Sequence, residues 1–208
     1  MFSDVSLFML ACVLVSILIS MTLHEAMHAF TGLWLGDDTA EREGRITLNP
    51  LKHIDPVTTV LLPVVLIVAG LPPFFAAKPV PFNPNRVKYD EFGAALVGIS
   101  GPLTNLLLAF AGAGILQIWQ GSLGVQGITF VTVFIMINVA FFVFNMIPFP
   151  PLDGSRLLYA VAPDSLRRVM ERIESLGFSA IVLFMLIFFM FLAPFVININ
   201  RSLLNFLL

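Results

Sequence analysis

The chain alternates between long apolar stretches and short polar segments. Residues 5–36 hold a single charged residue, Glu25, and residues 92–152 hold none, with a turn expected where Gln, Gly and Ser collect at 117–126. A last apolar stretch covers residues 177–197. An uncharged stretch of about 20 residues is long enough to cross a bilayer as a helix. The pattern therefore predicts an all-α polytopic membrane protein with about four spanning helices.

The segment 57–77 is also apolar and uncharged, but Pro63, Gly70, Pro72 and Pro73 interrupt it. Irregular backbone is tolerated at membrane depth only where other parts of the protein cover it. We therefore expect a re-entrant or short membrane segment here, with both ends on the same side of the membrane.

The polar segment after the first apolar stretch contains residues that favour strands. Within residues 43–48, Gly44 is followed by Ile46 and Thr47, and β-branched residues are enriched in strands. The segment predicts a small β-hairpin element whose edge is a candidate for pairing with a substrate. A hairpin that only connects its neighbours is an equal alternative.

The basic residues give an orientation. All of the 11 Lys and Arg residues except Arg201 fall in the polar segments 37–55, 78–91 and 155–175. Because Lys and Arg collect in cytoplasmic loops, these segments are expected to face the cytoplasm. No Lys or Arg precedes the first apolar stretch, so a cleaved signal peptide is not expected.

Composition agrees with the membrane class. Mean hydropathy is +0.96, and 58% of the 208 residues are hydrophobic and 12% are charged, against about 25% charged in a soluble domain. This excludes a disordered chain and argues against a water-soluble globule. The net charge of −2 argues against binding of a nucleic acid. Cys12 is the single cysteine, so no intramolecular disulfide forms. Without a repeat or linker, residues 1–208 are expected to form one membrane-embedded domain.

The chemistry centres on the sequence His-Glu-Ala-Met-His at residues 24–28. Positions four apart share one helix face, so His24 and His28 can present their imidazoles to one metal ion. Glu25 lies beside them as a general base for water, which completes the zinc metalloprotease pattern. A chance match is the alternative, but three titratable groups within one turn of an apolar span are costly.

A catalytic zinc takes three protein ligands, so a third ligand is required. Four residues are candidates: Glu41, Glu43, His53 and Asp153. Glu41 and Glu43 are expected in a solvated segment, and a lone loop histidine such as His53 is usually a surface residue. Asp153 is the strongest candidate, because prolines end the preceding helix and place this carboxylate at the membrane edge, on the same side as the histidines. An ordinary Asp-Gly turn is its alternative.

Several motifs together resemble the site-2 protease family of intramembrane zinc metalloproteases. They are the His-Glu-Ala-Met-His helix, Leu-Asp-Gly at 152–154 after Asn145, and Ser-Gly-Pro-Leu-Thr-Asn at 100–105. Arg-Ile-Thr-Leu-Asn-Pro at 45–50 and Ala-Lys-Pro-Val-Pro at 77–81 resemble the compact bacterial and archaeal branch that has no appended PDZ or CBS domain. The resemblance covers residues 24–154.

The resemblance implies one Zn²⁺ per chain, with His24, His28 and Asp153 as ligands and Glu25 as the catalytic base. It also implies that Asn145 contacts the substrate or the developing oxyanion. The expected activity is hydrolysis of a peptide bond in or near a transmembrane segment of a membrane-protein substrate. The expected location is a prokaryotic cell membrane, with the active site toward the cytoplasm, and a homo-oligomer is left open.

Two other functions are weighed against the protease. A membrane zinc transporter should offer further ligands along a path, yet the other apolar stretches contain no His, Asp or Glu. An inactive membrane binding protein has no need for a costly carboxylate such as Glu25 within an apolar span. Both observations favour the enzyme.

Overall fold

The computed structural model describes residues 6–68, 70 and 77–208, and this part of the chain is helical. In chain order the helices are α1 (Leu7–Leu35), α2 (Thr39–Arg42), α3 (Leu62–Val68), α4 (Asp90–Trp119), α5 (Val125–Asn145), α6 (Gly154–Val161), α7 (Asp164–Ser175), α8 (Phe178–Ile187) and α9 (Ala193–Leu207). Shorter turns of 3₁₀ or π helix occur at Pro50–Lys52, Pro56–Leu61, Pro84–Arg86 and Phe188–Leu192.

Four of the described helical stretches are long and apolar enough to cross a membrane. They are α1, α4, α5 and Ser179–Leu207, in which the π turn joins α8 to α9. The prediction of a helical polytopic protein is confirmed.

The helix α4 is the centre of the bundle, and it packs against α1, α5, α6 and α9. A Cβ atom on Gly112 would lie 2.7 Å from Ile135 of α5, so only glycine permits this approach. Ala109 and Val139 lie in the same buried cluster and are fully buried. Small residues at such contacts drive the association of helices in lipid. Gly114, by contrast, has nothing within 4 Å of the position of its missing Cβ.

The end of α1 is set by glycine. Gly36 has a φ of 109°, a conformation that glycine adopts without steric cost. Its N–H and that of Asp37 return to carbonyl groups in the last turn of α1. This arrangement is typical of a helix C-terminus, and it starts the following loop two turns beyond His28.

The predicted small β-hairpin is wrong, because the described residues contain no strand and residues 43–48 are irregular. The reason lies in where the hydrogen bonds go. Gly44 turns the chain with a φ of 62°, and the Arg45 amide returns to a carbonyl of α2. The Thr47 carbonyl oxygen lies 2.9 Å from Nε2 of His53. The preceding helix and a side chain therefore occupy backbone groups that a second strand would pair with.

The apolar segment 57–77 begins in a helix made of the π turn Pro56–Leu61 and α3. Of the residues that follow, 69 and 71–76 lie outside the described part of the chain. The flanks of the segment meet, since the Lys78 amide donates to the His53 carbonyl at 2.8 Å. The segment thus leaves and returns at one place in the molecule, as a re-entrant path requires. Re-entry into a membrane stays a prediction.

Two polar helices, α6 and α7, follow α5 in the chain and support Asp153. The N-cap of α6 is Asp153. Arg156 of α6 forms an ion pair with Glu174 of α7 at 3.2 Å, and its guanidinium lies 5.1 Å from the centre of the Tyr159 ring. The ion pair joins α6 to α7, the ring contact lies within α6, and α6 in turn packs on α4. The carboxylate of Asp153 is therefore carried on a packed element.

Candidate metal centre

Two histidines on successive turns of α1 face α4. His24 is 6% exposed, and its Nδ1 lies 2.6 Å from Oδ1 of Asn105. Nδ1 of His28 lies 2.7 Å from the carbonyl oxygen of Val97. Each acceptor calls for a proton on Nδ1, which leaves the lone pair of each neutral ring on Nε2. Both imidazoles are therefore oriented by α4 to bind a metal through Nε2, as metal-ligating histidines usually are.

The carboxylate of Asp153 completes a triangle of donor atoms. The two Nε2 atoms are 3.0 Å apart, and Oδ2 of Asp153 lies 3.1 Å from that of His24 and 3.4 Å from that of His28. Ligands about 2.0 Å from a tetrahedral zinc are about 3.3 Å from one another. The three residues that the sequence singled out are thus brought together at the spacing of a zinc site.

The space beside this triangle is kept open by Gly101 of α4. A Cβ atom there would lie 2.7 Å from Nε2 of His24, and Nε2 of His28 would also be in its way. Any side chain at position 101 would therefore displace the donor atoms or occupy the space that they surround. Two nitrogens, one carboxylate oxygen and this gap fit a zinc ion.

A pair of asparagines supports His24 from behind. Asn105 and Asn138 are fully buried, and Nδ2 of Asn105 donates to Oδ1 of Asn138 at 3.0 Å. Nδ2 of Asn138 donates in turn to the Phe134 carbonyl at 2.8 Å. This chain fixes the orientation of the Asn105 amide, so that its oxygen faces His24. Asn105 ends the sequence motif at 100–105 without a predicted role, and Asn138 was not predicted at all. Asn138 could have been found as an amide in the middle of an uncharged span, because polar side chains in such spans form hydrogen bonds between helices.

Glu25 lies in a cleft beside the donor triangle. It is 8% exposed, and it lines a cavity of about 190 Å³ together with His28, Asp153 and Arg156. Residues 79–82 also line this cavity. A carboxylate in this position can hold and deprotonate a water molecule next to the metal site. The cleft thus joins the metal ligands and a general base in one space.

The other candidates for the third ligand lie elsewhere. Glu41 and Glu43 are exposed at the end of α2. His53 is fully buried, but its Nε2 bonds to the Thr47 carbonyl and it is not part of the cluster around Asp153. Its place is structural, because it connects two parts of the polar loops.

Asn145, the predicted substrate contact, is the last residue of α5. Its Nδ2 donates to the Phe141 carbonyl one turn earlier, at 3.1 Å. Asn145 is not among the described residues that line the cleft. Its role toward a substrate stays a prediction.

Asp37 is a buried carboxylate at the end of α1, 2% exposed. Its Oδ2 accepts the Asn83 amide at 2.7 Å, and its Oδ1 accepts the Thr39 amide at 3.1 Å. Burial by itself raises the pKa of a carboxyl group, but these hydrogen bonds outweigh it and lower the pKa of Asp37. The ionised side chain therefore ties the backbone at residue 83 to α1.

Comparison with known proteins identifies the family. The chain is 37% identical over 182 residues to the "Putative zinc metalloprotease YwhC" of Bacillus subtilis, across 84% of this chain and 78% of the relative. It is 31% identical over 175 residues to the "Putative zinc metalloprotease Rip2" of Mycolicibacterium smegmatis, across 81% of this chain and 64% of the relative. The chain belongs to the site-2 protease family. No family model and no solved structure matches it.

Membership in the site-2 protease family agrees with the donor triangle. The zinc metalloprotease names of the relatives support a metalloprotease that uses zinc, and His24, His28 and Asp153 form an arrangement that could hold a metal ion. Together with the four apolar helices, the family indicates a multi-pass membrane protein.

Proposed function

We propose that the protein is an intramembrane zinc metalloprotease, which hydrolyses a peptide bond in or near a transmembrane segment of another membrane protein. The observation that carries the proposal is the position of Glu25. It lies in one cleft with two of the zinc ligands, His28 and Asp153, on a helix that is apolar enough to cross a membrane. This combination supports hydrolysis at or near membrane depth.

The three metal-binding side chains and Glu25 have different roles in the reaction. His24, His28 and Asp153 hold the zinc, which when bound polarises the scissile carbonyl and makes water acidic. Glu25 takes a proton from the attacking water as the water oxygen bonds to the carbonyl carbon. The same carboxyl group then returns the proton to the leaving nitrogen as the C–N bond breaks. The products are a carboxylic acid, which keeps the second proton of the water, and an amine, and the Glu25 carboxylate is regenerated.

The substrate has to unwind before it can be cut. In an intact helix the scissile carbonyl is hydrogen-bonded four residues on and shielded by neighbouring side chains. Opening a helix in lipid exposes backbone groups at a cost of several kcal/mol each unless new partners are supplied. Residues 79–82 line the cleft outside any helix and are suited to that role, because backbone groups outside a helix can bind a peptide as an added strand. Preferred substrates therefore carry Gly, Pro, Asn or Ser near the cut.

The cut lies toward the cytoplasmic end of the substrate helix. This orientation rests on the collection of Lys and Arg residues in the polar segments. Arg156 lines the cleft itself, and Arg45 and Lys78 lie in hydrogen-bonding contact beside it. Water enters through the same polar side.

A proteomic comparison tests the proposal and finds the substrates. Membranes from cells with wild-type enzyme are compared with membranes from cells that carry Glu25→Gln, a change that keeps the zinc ligands. We expect single-span proteins to accumulate intact in the Glu25→Gln membranes and truncated forms to be found only with the wild type. Identical membrane proteomes in the two strains would contradict the proposal.

A further inference from the structure

A strap of irregular backbone lines the cleft, and it is held at its first end by a buried arginine. We define the strap as residues 78–83. Arg45 is 6% exposed, and its Nη2 donates to the carbonyl of Lys78 at 2.8 Å and to that of Pro79 at 3.4 Å. The Lys78 amide is bonded to the His53 carbonyl. A buried guanidinium that serves backbone carbonyls fixes the path of the chain at this end.

The far end of the strap is held by a buried carboxylate. Asp37 accepts the Asn83 amide at 2.7 Å. Shortly after the strap, the Lys88 amide donates to the Leu35 carbonyl at 2.9 Å. Both contacts are made to the end of α1, the helix that carries Glu25. Both ends of the strap are therefore held by hydrogen bonds.

Between these ends, the strap presents one amide to the catalytic carboxylate. The Val80 N–H donates to Oε2 of Glu25 at 3.1 Å. Its neighbours Pro79 and Pro81 have no N–H and a fixed φ, so they hold the backbone extended and leave Val80 as the only donor of the three. Fixing one carboxylate oxygen restricts rotation of the side chain and leaves Oε1 for the water.

We propose that Val80 is a positioning residue, whose backbone N–H holds Glu25 in its productive orientation while Arg45 and Asp37 keep the strap in place. The consequence for catalysis rests on the proposed proteolytic function, whereas the contact itself is independent of it. Neither Val80 nor Arg45 carries out chemistry. Both act through Glu25.

The contact is tested by hydrogen exchange, which reports the opening of single amides. Because Pro79 and Pro81 have no amide, overlapping peptides with ends on either side of residue 80 isolate the Val80 amide by mass spectrometry. Loss of one hydrogen bond is worth about 1 kcal/mol, so Glu25→Leu is expected to speed exchange at Val80 by about fivefold. Glu43→Leu makes the same substitution at an exposed glutamate in the polar segment that follows α1, and it is the matched control.

The outcome at Lys78 separates a local from a general effect. The Lys78 amide, bonded to the His53 carbonyl, should exchange at the wild-type rate in Glu25→Leu. Equal exchange at Val80 in the wild type and Glu25→Leu would overturn the proposal. Acceleration of Lys78 by the same factor as Val80 would also overturn it, because the whole strap would then have opened.

The effect on catalysis is tested by removing the N–H with Val80→Pro. Val80→Ala, which shortens the side chain but keeps the amide, is the reference. The probe is a quenched-fluorescence peptide in proteoliposomes, with a Leu/Ala segment of about 20 residues that is broken by Asn-Gly-Pro near one end. Loss of a contact that supports a functional side chain typically lowers activity by about 10–100-fold. We expect that loss in kcat of Val80→Pro relative to Val80→Ala, with similar KM and zinc content.

Equal kcat values for the two variants, or a difference confined to KM, would overturn the positioning role. If the wild type does not cleave the peptide, the proposed function is what fails, and the exchange experiment still decides whether Val80 holds Glu25. If Val80→Pro loses its zinc or its fold, the exchange experiment alone gives the decision.

Discussion

The Nδ1 atom of His24 lies 2.6 Å from Oδ1 of Asn105, although the two residues are 81 positions apart in the chain. Asn105 in turn is bonded to Asn138. His24 of α1 is thereby connected to α4 and α5 through a chain of buried side chains. We expect this chain to couple the candidate metal site to the packing of the three helices.

Replacing Asn105 by Leu should weaken zinc binding. The change removes the acceptor for His24 Nδ1–H, so that the ring loses its tautomer and orientation, an effect of about 10–100-fold in affinity. It also leaves Oδ1 of Asn138 buried without a donor, at a cost of about 1–3 kcal/mol of stability. Competition with a zinc chelator measures the first effect and thermal unfolding the second. Thr104→Val, which removes a hydroxyl bonded within the same helix, should keep wild-type zinc affinity. Equal affinity in Asn105→Leu and Thr104→Val would disprove the link.

The third zinc ligand is tested by two alanine variants. Asp153→Ala should lose its zinc on purification, because two imidazoles alone do not make a stable zinc site. His53→Ala should retain one zinc per chain. It should nevertheless unfold more easily, because it leaves the Thr47 carbonyl without its partner, at a cost of about 1–3 kcal/mol. Zinc content by atomic absorption decides. Loss of zinc in His53→Ala with retention in Asp153→Ala would mean that the ligand assignment is wrong.

A methyl group at Gly101 should block the metal site. In Gly101→Ala the new Cβ would meet Nε2 of His24 at 2.7 Å, and we expect a folded protein that no longer binds zinc. Gly114→Ala lies on the same helix, where the Cβ meets nothing within 4 Å. It should bind zinc normally and be more stable by about 0.5–1 kcal/mol, since alanine is the better helix former. Full zinc occupancy in purified Gly101→Ala would rule out this geometry.

The path of residues 57–77 can be followed with impermeant thiol reagents. In a Cys12→Ala background, single cysteines replace the exposed residues Glu43, Asn85 and Ser122. The hydrogen bond between Lys78 and His53 leads us to expect that positions 43 and 85 are labelled from one side of the membrane and position 122 from the other. Labelling of positions 43 and 85 from opposite sides would show that the segment crosses.

The parts of the fold that depend on local pattern were predictable. Uncharged apolar stretches are enough to find spanning helices, and the spacing of His24 and His28 is enough to put them on one face. The prediction of the β-hairpin was wrong because local strand propensity does not show that the backbone groups of Arg45 and Thr47 have other hydrogen-bond partners.

The supporting contacts of the site could not be predicted in this way. Asn138 is bonded to a residue 33 positions away, and Val80 reaches Glu25 across 55 positions. Such pairs are created by the packing of α1, α4 and α5 and by the strap. Asp153 was the exception, because charge bias placed it on the same side as the histidines.

Incorporation of ¹⁸O is the most direct test of intramembrane metalloproteolysis. Wild-type enzyme and Glu25→Gln, both loaded with zinc, are incubated in H₂¹⁸O with the proteoliposome peptide, and the products are weighed and sequenced by mass spectrometry. We expect the wild type to cut once within or beside the transmembrane segment, with one ¹⁸O in the new carboxyl terminus, and Glu25→Gln to leave the peptide intact. Cleavage by zinc-loaded Glu25→Gln at the wild-type rate would contradict the account.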